Sequence, residues 1–143
     1  MAQIISATTR FAGAGAGTRR AGFILKAQVL LAQAHRHREA GEWDLALEAA
    51  YQAALRTAGA RISASAVAGR RRRPTGAWDQ LRMVDAEGER WALVFSQYSR
   101  LRSRVASGLE LDVDREVVST VMDLAAQFLA ETEAEAGWVP AAA

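Results

Sequence analysis

The chain has 143 residues, half of them apolar, and this length is sufficient for one domain with a buried core. The absence of cysteine excludes disulfide bonds, thiol nucleophiles and zinc–thiolate sites. No run of about eighteen apolar residues occurs, so we expect a cytoplasmic protein with no membrane partner. The formal net charge is +2, and Lys26 is the one lysine among eighteen basic residues. Because arginine is abundant throughout, only clusters of arginine indicate a ligand.

Residues 1–22 show no sustained apolar period and are predicted to form a flexible N-terminal arm. This arm alternates glycine and alanine, but it lacks the lysine of a phosphate-binding loop, so no nucleotide site is assigned there. A first helix is predicted over residues 23–40. Its apolar residues recur at helical spacing: Phe23, Ile24, Ala27, Leu30, Leu31 and Ala34. Gly41 is predicted to end this helix in the left-handed conformation.

The second helix, over residues 43–58, is predicted to be the element on which the others pack. Small side chains recur on one side of it, where they would let a neighbouring backbone come close: Ala46, Ala50, Ala53, Ala54 and Thr57. We therefore expect a helical hairpin at the centre of the fold, with later helices packed against it.

Four consecutive arginines, Arg70 to Arg73, lie in the connection formed by residues 62–75. Adjacent cations repel each other and stay solvated, and they attract nucleic acid or an acidic partner. A soluble loop with no partner is the alternative. Pro74 follows the run and is suited to beginning a helix rather than continuing one.

A third helical region is predicted over residues 76–108, weakened near Gly88 and regular from Arg90 onwards. Arg100 and Arg104 share one face of it, and Arg102 lies roughly opposite. The last helix is predicted over residues 115–134, with Asp112 or Asp114 as its N-cap. We expect its acidic end to be solvated: Glu131, Glu133 and Glu135. Residues 136–143 form a C-terminal tail, in which Trp138 would dock on the bundle or on a partner.

This order of elements predicts an all-α fold, an up-and-down bundle of four to five helices over residues 23–135. The segment GEWDLALEAAYQAAL resembles half of a tetratricopeptide motif. That motif buries its faces only when it is repeated, and no second copy follows at a 34-residue period.

Four segments together resemble the HEPN family (higher eukaryote and prokaryote nucleotide-binding), in particular its small stand-alone actinobacterial branch. They are LLAQAHRHREAGEWDLALEAAYQAALRTAG, AWDQL, WALVFSQYSRLRSRVASG and AAQFLAETE. The resemblance implies a HEPN-like helical bundle, often dimeric, associated with RNA, nucleotides or toxin–antitoxin and stress systems. Arg102 is similar to the arginine that this branch carries at that place, and it could contact phosphate.

Many HEPN proteins are metal-independent ribonucleases, and their motif is an arginine followed after four to six residues by a histidine. No histidine follows Arg100, Arg102, Arg104 or Arg115 in this way. The group that would activate a ribose hydroxyl is therefore missing at the expected place. We predict no catalytic residue, no metal site and no cofactor, and the missing histidine argues against the ribonuclease activity of the active relatives.

Three functional hypotheses follow. The first is a non-catalytic module that binds RNA, nucleotide or a nucleic-acid-handling partner through seven arginines: Arg70, Arg71, Arg72, Arg73, Arg100, Arg102 and Arg104. The second is a divergent ribonuclease that uses His35 or His37 with Arg102 and an acid such as Glu48. The third is a protein-interaction or homodimerisation domain that uses the small-residue face and two tryptophans, Trp78 and Trp138, which we expect to be exposed.

Overall fold

The computed structural model describes residues 12–138 and consists of helices and their connections. In chain order the elements are α1 (Ala12–Glu39), α2 (Trp43–Ser63), a 3-10 turn (Ala66–Gly69), α3 (Ala77–Arg82), α4 (Ala86–Ser96), α5 (Ser99–Ala106) and α6 (Arg115–Glu135). The described residues contain no strand, and the predicted all-α, HEPN-like bundle is confirmed. They form six α-helices because the third predicted region divides into three. Within residues 12–138, no helix is long and apolar enough to span a membrane.

The first helix begins at Ala12 instead of residue 23, so residues 12–22 are helical, although the sequence pattern assigned them to the arm. Alanine and arginine are strong helix formers, and here they offset the cost of the interspersed glycines. Residues 1–11 lie outside the described part of the chain, and for them the flexible arm stays a prediction. Gly41 follows the end of α1 in the left-handed conformation, with φ of +78°, as predicted. Two backbone bonds close the end of α1, from Gly41 to Arg38 (3.0 Å) and from Glu42 to His37 (2.8 Å).

The central position of α2 is confirmed, because this helix contacts every other helix and the 3-10 turn. Its small residues are fully or almost fully buried: Ala46, Ala50, Ala53, Ala54, Thr57 and Ala58. Large rings from the later helices fill the space beside them. Trp91 stacks on Phe128 with 4.9 Å between ring centroids, and Phe95 lies 5.5 Å from Phe128. Aromatic residues of α4 and α6 thus pack against the alanine face of α2, and together they form the core.

The stretch around Gly88 is the first turn of α4 rather than a weak point in a longer helix. Asp85 is the N-cap of α4, and its Oδ1 accepts a hydrogen bond from the Gly88 amide at 2.7 Å. A Cβ atom at Gly88 would lie 2.4 Å from the carbonyl oxygen of Leu81. Glycine is therefore needed where α4 crosses the end of α3.

The predicted regular helix from Arg90 to Val105 is interrupted between α4 and α5, and this part of the prediction is wrong. The backbone amide of Tyr98 donates to the Phe95 carbonyl at 3.0 Å, so the chain makes a three-residue turn at the break. Side chains nearby also bond to backbone carbonyls, with Ser96 Oγ donating to Leu93 and Ser99 Oγ donating to Ser96. Such side-chain bonds compete with the helical ladder, which the apolar period does not reveal.

The last helix begins as predicted, with Asp114 Oδ1 accepting a hydrogen bond from the Glu116 amide at 2.9 Å. Its acidic end is not simply solvated, contrary to expectation. Glu131 accepts a hydrogen bond from Trp91 Nε1 (3.0 Å), and Glu133 accepts one from Gln28 Nε2 (2.7 Å). These bonds attach the end of α6 to α4 and α1.

Candidate anion-binding site

The arginine run follows directly from the 3-10 turn. Ser65 Oγ accepts a hydrogen bond from the Val67 amide at 3.2 Å and so begins this turn, and extended backbone at Arg70 ends it. Arg70, Arg71 and Arg72 are exposed. Their side chains form no ion pair or hydrogen bond with any residue between 12 and 138. Three consecutive arginine side chains are therefore exposed and unpaired within the described part of the chain.

Arg73, the fourth arginine of the run, folds back along the turn. Its Nη1 donates to the carbonyl of Ala68 at 3.0 Å and lies 3.5 Å from the carbonyl of Val67. The next residues are attached to α3, because Gln80 Nε2 donates to the Pro74 carbonyl at 2.7 Å. The end of the run at Arg73 is therefore bonded to the 3-10 turn, whereas the side chains of the other three arginines extend into solvent.

A cleft of about 500 Å³ lies beside Arg73 and the 3-10 turn, between α1, α2 and the connection to α3. Two cations, Arg19 and Arg73, line it, and no carboxylate does. The other lining residues are apolar or neutral: Phe23, Leu55, Gly59, Ile62, Ser63, Ala68, Thr75, Ala77 and Gln80. Phe23 reaches this wall because Gly59 has no side chain, and a Cβ atom there would lie 2.8 Å from the ring.

Arg102 is held by an acid of another helix. Its Nε and Nη2 donate to the two carboxylate oxygens of Glu48 at 2.8 and 2.7 Å, and its guanidinium lies 5.4 Å from the centre of the Tyr51 ring. This hydrogen bonding lowers the pKa of Glu48 below its ordinary 4.5, although partial burial acts in the opposite direction; a further bond from Gln52 also lowers it. The same pair raises the pKa of Arg102. The contact joins α5 to α2.

The two other arginines of α5 differ from each other. Arg104 lies 3.4 Å from Glu110 in an exposed ion pair. Arg100 is exposed and pairs with no acid among residues 12–138. Of the seven arginines predicted to bind nucleic acid, the structure thus leaves Arg70, Arg71, Arg72 and Arg100 unpaired. Arg73 donates to a backbone carbonyl, and Arg102 and Arg104 form ion pairs with Glu48 and Glu110.

The residues of the ribonuclease hypothesis are only partly brought together. Glu48 and Arg102 meet, as that hypothesis requires. The histidines bond elsewhere, with His35 Nδ1 3.2 Å from Arg38 and His37 Nδ1 2.8 Å from Glu42. Within the part of the chain described, no three histidine or acidic side chains are grouped so that they could hold a metal ion.

The expected exposure of Trp78 is wrong, because its indole is partly buried in the core. Trp78 Nε1 donates to the Tyr51 hydroxyl at 2.7 Å, and its ring stacks on Phe95 at 5.3 Å. Trp138 packs against the bundle, beside the buried Ile24 and Leu129. Neither indole is a freely exposed anchor for a partner.

Arg61 is a buried charge that the sequence interpretation missed. It is 4% exposed, and its Nε donates to Thr132 Oγ1 at 2.7 Å. Its Nη1 lies 3.5 Å from Glu135 but lacks a well-directed hydrogen bond, so we regard the Thr132 contact as the stronger one. Spacing was an available signal, since Arg61 lies four residues after Thr57 on the buried face of α2.

Most of the described helices lie within a segment that matches a known family. A family model described as SAV_6107-like HEPN matches residues 34–133, from the end of α1 to near the end of α6. Searches of curated proteins and of solved structures gave no match. The matched segment includes α2, the arginine run and the Arg102 helix. Because it covers more than half of the chain, the protein belongs to the SAV_6107-like HEPN family.

Proposed function

We propose that this protein is a non-catalytic HEPN module that binds single-stranded RNA through the arginine run. The observation that carries the proposal is the unpaired state of Arg70, Arg71 and Arg72, which face solvent together without an acidic partner among the described residues. Three other exposed or partly exposed arginines, Arg90, Arg102 and Arg104, each pair with an acid, and no other part of the described chain has three consecutive arginines without one. A run that is left unpaired beside such pairs is available to phosphate groups.

Phosphate groups suit this run better than a single carboxylate does. Three neighbouring guanidinium groups match a ligand with regularly spaced negative charges, and binding releases the counterions condensed on the strand. The hydrogen bonds from Arg73 to the 3-10 turn limit how far the run can move. This lowers the entropy that the run loses when it binds a ligand.

The non-catalytic part of the proposal rests on the histidines. Neither His35 nor His37 bonds to Arg102 or Glu48, and both bond to neighbours at the end of α1. Arg102 has its Nε and Nη2 committed to Glu48. A histidine acting as general base would have to lie within hydrogen-bond reach of the ribose hydroxyl beside Arg102, and both histidines bond to other residues; the carboxylate that does lie there, Glu48, has both oxygens bonded to Arg102.

Fluorescence anisotropy of labelled single-stranded RNA, titrated over a range of salt concentrations, tests the proposal. We expect affinity to fall as salt rises, and the triple substitution of Arg70, Arg71 and Arg72 by serine to reduce the log–log slope by about 2, since each lost phosphate contact on a single strand removes about 0.7. The matched control replaces three exposed cations elsewhere by serine: Lys26, Arg36 and Arg82. An equal loss in the control would show that net charge alone drives binding.

The same samples, run on a denaturing gel, distinguish the ribonuclease alternative. Intact RNA after prolonged incubation is the expected result. Cleavage that disappears in the double variant His35→Ala, His37→Ala would contradict the non-catalytic reading and favour the nuclease.

A strip on α1 favours a second candidate, homodimerisation or contact with another helix. Leu25 and Val29 are one turn apart and are 51% and 56% exposed. They line a shallow, mostly apolar groove of about 350 Å³ together with Leu30 and two cations, Lys26 and Arg56. Light scattering over a range of concentrations tests this candidate, and the substitution Val29→Glu should shift any dimer to monomer.

A further inference from the structure

The cleft beside the arginine run has features that RNA binding along Arg70–Arg72 does not use. Its charged lining consists of Arg19 and Arg73 alone, without a carboxylate to neutralise them. Its volume of about 500 Å³ is in the usual range for small-molecule sites. A cavity of this size with two positive charges is suited to a small anion that carries about two negative charges.

One of these cations is already oriented. Arg73 Nη1 bonds to the carbonyl of Ala68, so the guanidinium is held in place while its Nε and Nη2 have no partner among residues 12–138. Arg19, on α1, has no ion pair within the described chain, and it contributes the second charge to the lining of the cleft. An anion in the cleft would receive charge-assisted hydrogen bonds from one arginine on α1 and one in the connection after the 3-10 turn.

The remaining lining divides into a polar and an apolar part. Thr75 offers a hydroxyl with no other partner in the described chain, whereas the Ser63 hydroxyl is engaged with the Ala60 carbonyl at 2.9 Å. Phe23, Leu55 and Ile62 provide an apolar wall. Inorganic phosphate alone would leave this wall in contact with water, so a ligand with an apolar or aromatic body fills the cleft better.

We propose that this cleft binds a phosphate monoester with an apolar or aromatic body, held by Arg19, Arg73 and Thr75. A phosphate monoester carries about −1.5 to −2 charge at neutral pH and has three strong acceptor oxygens, which match two guanidinium groups and one hydroxyl. The side chains of this site differ from those assigned to the RNA strand, Arg70–Arg72, so substitutions can test the two proposals separately. Two sources share this chemistry: a free small metabolite and the phosphorylated 5′ end of an RNA.

Calorimetric titration of the full chain with phenyl phosphate is the first test. We expect saturable binding with one ligand per chain, and affinity at least about tenfold weaker for inorganic phosphate, which leaves the apolar wall unfilled. Benzyl alcohol, which lacks the charge, should not bind. Binding should strengthen from pH 5 to pH 7.5, because the second ionisation of a phosphate monoester occurs near pH 6.

The double variant Arg19→Gln, Arg73→Gln locates the site. Removal of two charge-assisted contacts should weaken phenyl phosphate by about a hundredfold, since each such bond corresponds to about tenfold. The double variant Arg36→Gln, Arg82→Gln removes the same charge from exposed positions outside the cleft and should change affinity less than about threefold. Equal losses in the two variants, or no saturable binding to the wild-type chain, would overturn the proposal.

A measurement on the wild-type chain removes any dependence on how the variants fold. Amide resonances of Ser63, Thr75 and Ala77 should shift on addition of phenyl phosphate, whereas those of Arg36 and Arg82 should stay in place. Shifts spread evenly over the cationic surface would contradict a defined site. Comparing 5′-phosphorylated with 5′-hydroxyl RNA of one sequence then identifies the source: tighter binding that is lost in Arg19→Gln, Arg73→Gln assigns the RNA end, and equal binding assigns a free metabolite.

Discussion

At the scale of single residues, one amino-acid type has four different roles in this chain. Arg61 is buried against Thr132, Arg102 is half-buried on Glu48, Arg73 bonds to backbone, and Arg70 has no partner among residues 12–138. The guanidinium is the same in each case, and its partners determine whether it stabilises the fold or remains available to a ligand. Predictions about ligand binding and about stability therefore concern different arginines.

The contact between Glu48 and Arg102 predicts a stability that depends on pH. The folded-state pKa of Glu48 lies below the ordinary 4.5, so the folded chain holds this proton less tightly than the unfolded chain does. The stabilisation is fully present above the unfolded value and is lost as pH falls through the lower, folded value. At pH 7 we expect Glu48→Gln to reduce the free energy of unfolding by about 1 kcal/mol, a small figure because solvent screens this partly exposed pair.

Urea unfolding between pH 7 and pH 3 measures this effect. The difference between wild type and Glu48→Gln should shrink at the acid end of the range. Asp123→Asn is the matched control, because Asp123 is exposed on α6 and forms no hydrogen bond or ion pair within the described chain. A difference for Glu48→Gln that stays constant over the whole range would show that the carboxylate charge contributes nothing.

Arg61 allows a test of which contact holds a buried cation. We expect Arg61→Ala to reduce the free energy of unfolding by about 3 kcal/mol, since it empties a packed position and leaves Thr132 without its partner. Glu135→Gln should cost less than about 1 kcal/mol, because the Glu135 side chain is 51% exposed. Thermal and urea unfolding of both variants measure this; similar losses would mean that the ion pair, rather than Thr132 and the packing, holds Arg61.

At the scale of elements, the positions where helices begin and end are determined by local side-chain bonds. Asp85 and Asp114 cap α4 and α6 through hydrogen bonds to backbone amides. The break before α5 follows from serine side chains that bond to nearby carbonyls. Apolar period alone treats Arg90 to Val105 as one helix, because the stripe continues in phase across the break.

Gly88 and Gly22 should respond in opposite directions to the same substitution. A methyl group at Gly88 would meet the Leu81 carbonyl at 2.4 Å, and we expect Gly88→Ala to destabilise the protein by about 2 kcal/mol or more. At Gly22 in α1 a Cβ atom would meet nothing within 4 Å beyond its own helix backbone and chain neighbours, so Gly22→Ala should stabilise by about 0.5–1 kcal/mol. Thermal unfolding measures both, and a stabilising Gly88→Ala would contradict the close approach of α3 and α4.

At the scale of the whole molecule, burial predicts the highest local stability in α2 and a low one in α5. The first of these helices has buried residues along its whole length, whereas no residue of Ser99–Ala106 is buried. Local opening requires less energy where few apolar contacts are lost. The contact between Arg102 and Glu48 is then a main attachment of α5 to the bundle.

Hydrogen exchange should show this gradient. Amides near the middle of α2 should exchange only on global unfolding, and those of α5 should exchange faster by local opening. Glu48→Gln should accelerate exchange in α5 more than in α6, because Glu48 bonds to Arg102 of α5 and to no residue of α6. Protection in α5 equal to that in α2 would contradict the gradient.

The sequence by itself determined the fold class, the family and the centre of the bundle. Helical spacing of alanines on α2, the glycine at position 41 and the aspartate cap at position 114 are local signals, and all three act as expected. The family resemblance is carried by the same local patterns and is confirmed over residues 34–133. Such features depend on residues close together along the chain, and they can therefore be recognised from spacing.

Tertiary structure alone decided which charged groups remain available. Glu48 and Arg102 lie 54 residues apart in the chain, and Arg61 and Thr132 lie 71 apart. The cleft takes its cations from α1 and from the connection after α2. The sequence therefore showed seven arginines as equivalent candidates, and only long-range packing separated those that hold helices together from those that are left to meet a ligand. Whether an arginine is paired depends on groups that folding brings together from distant parts of the chain, and no local spacing records those contacts.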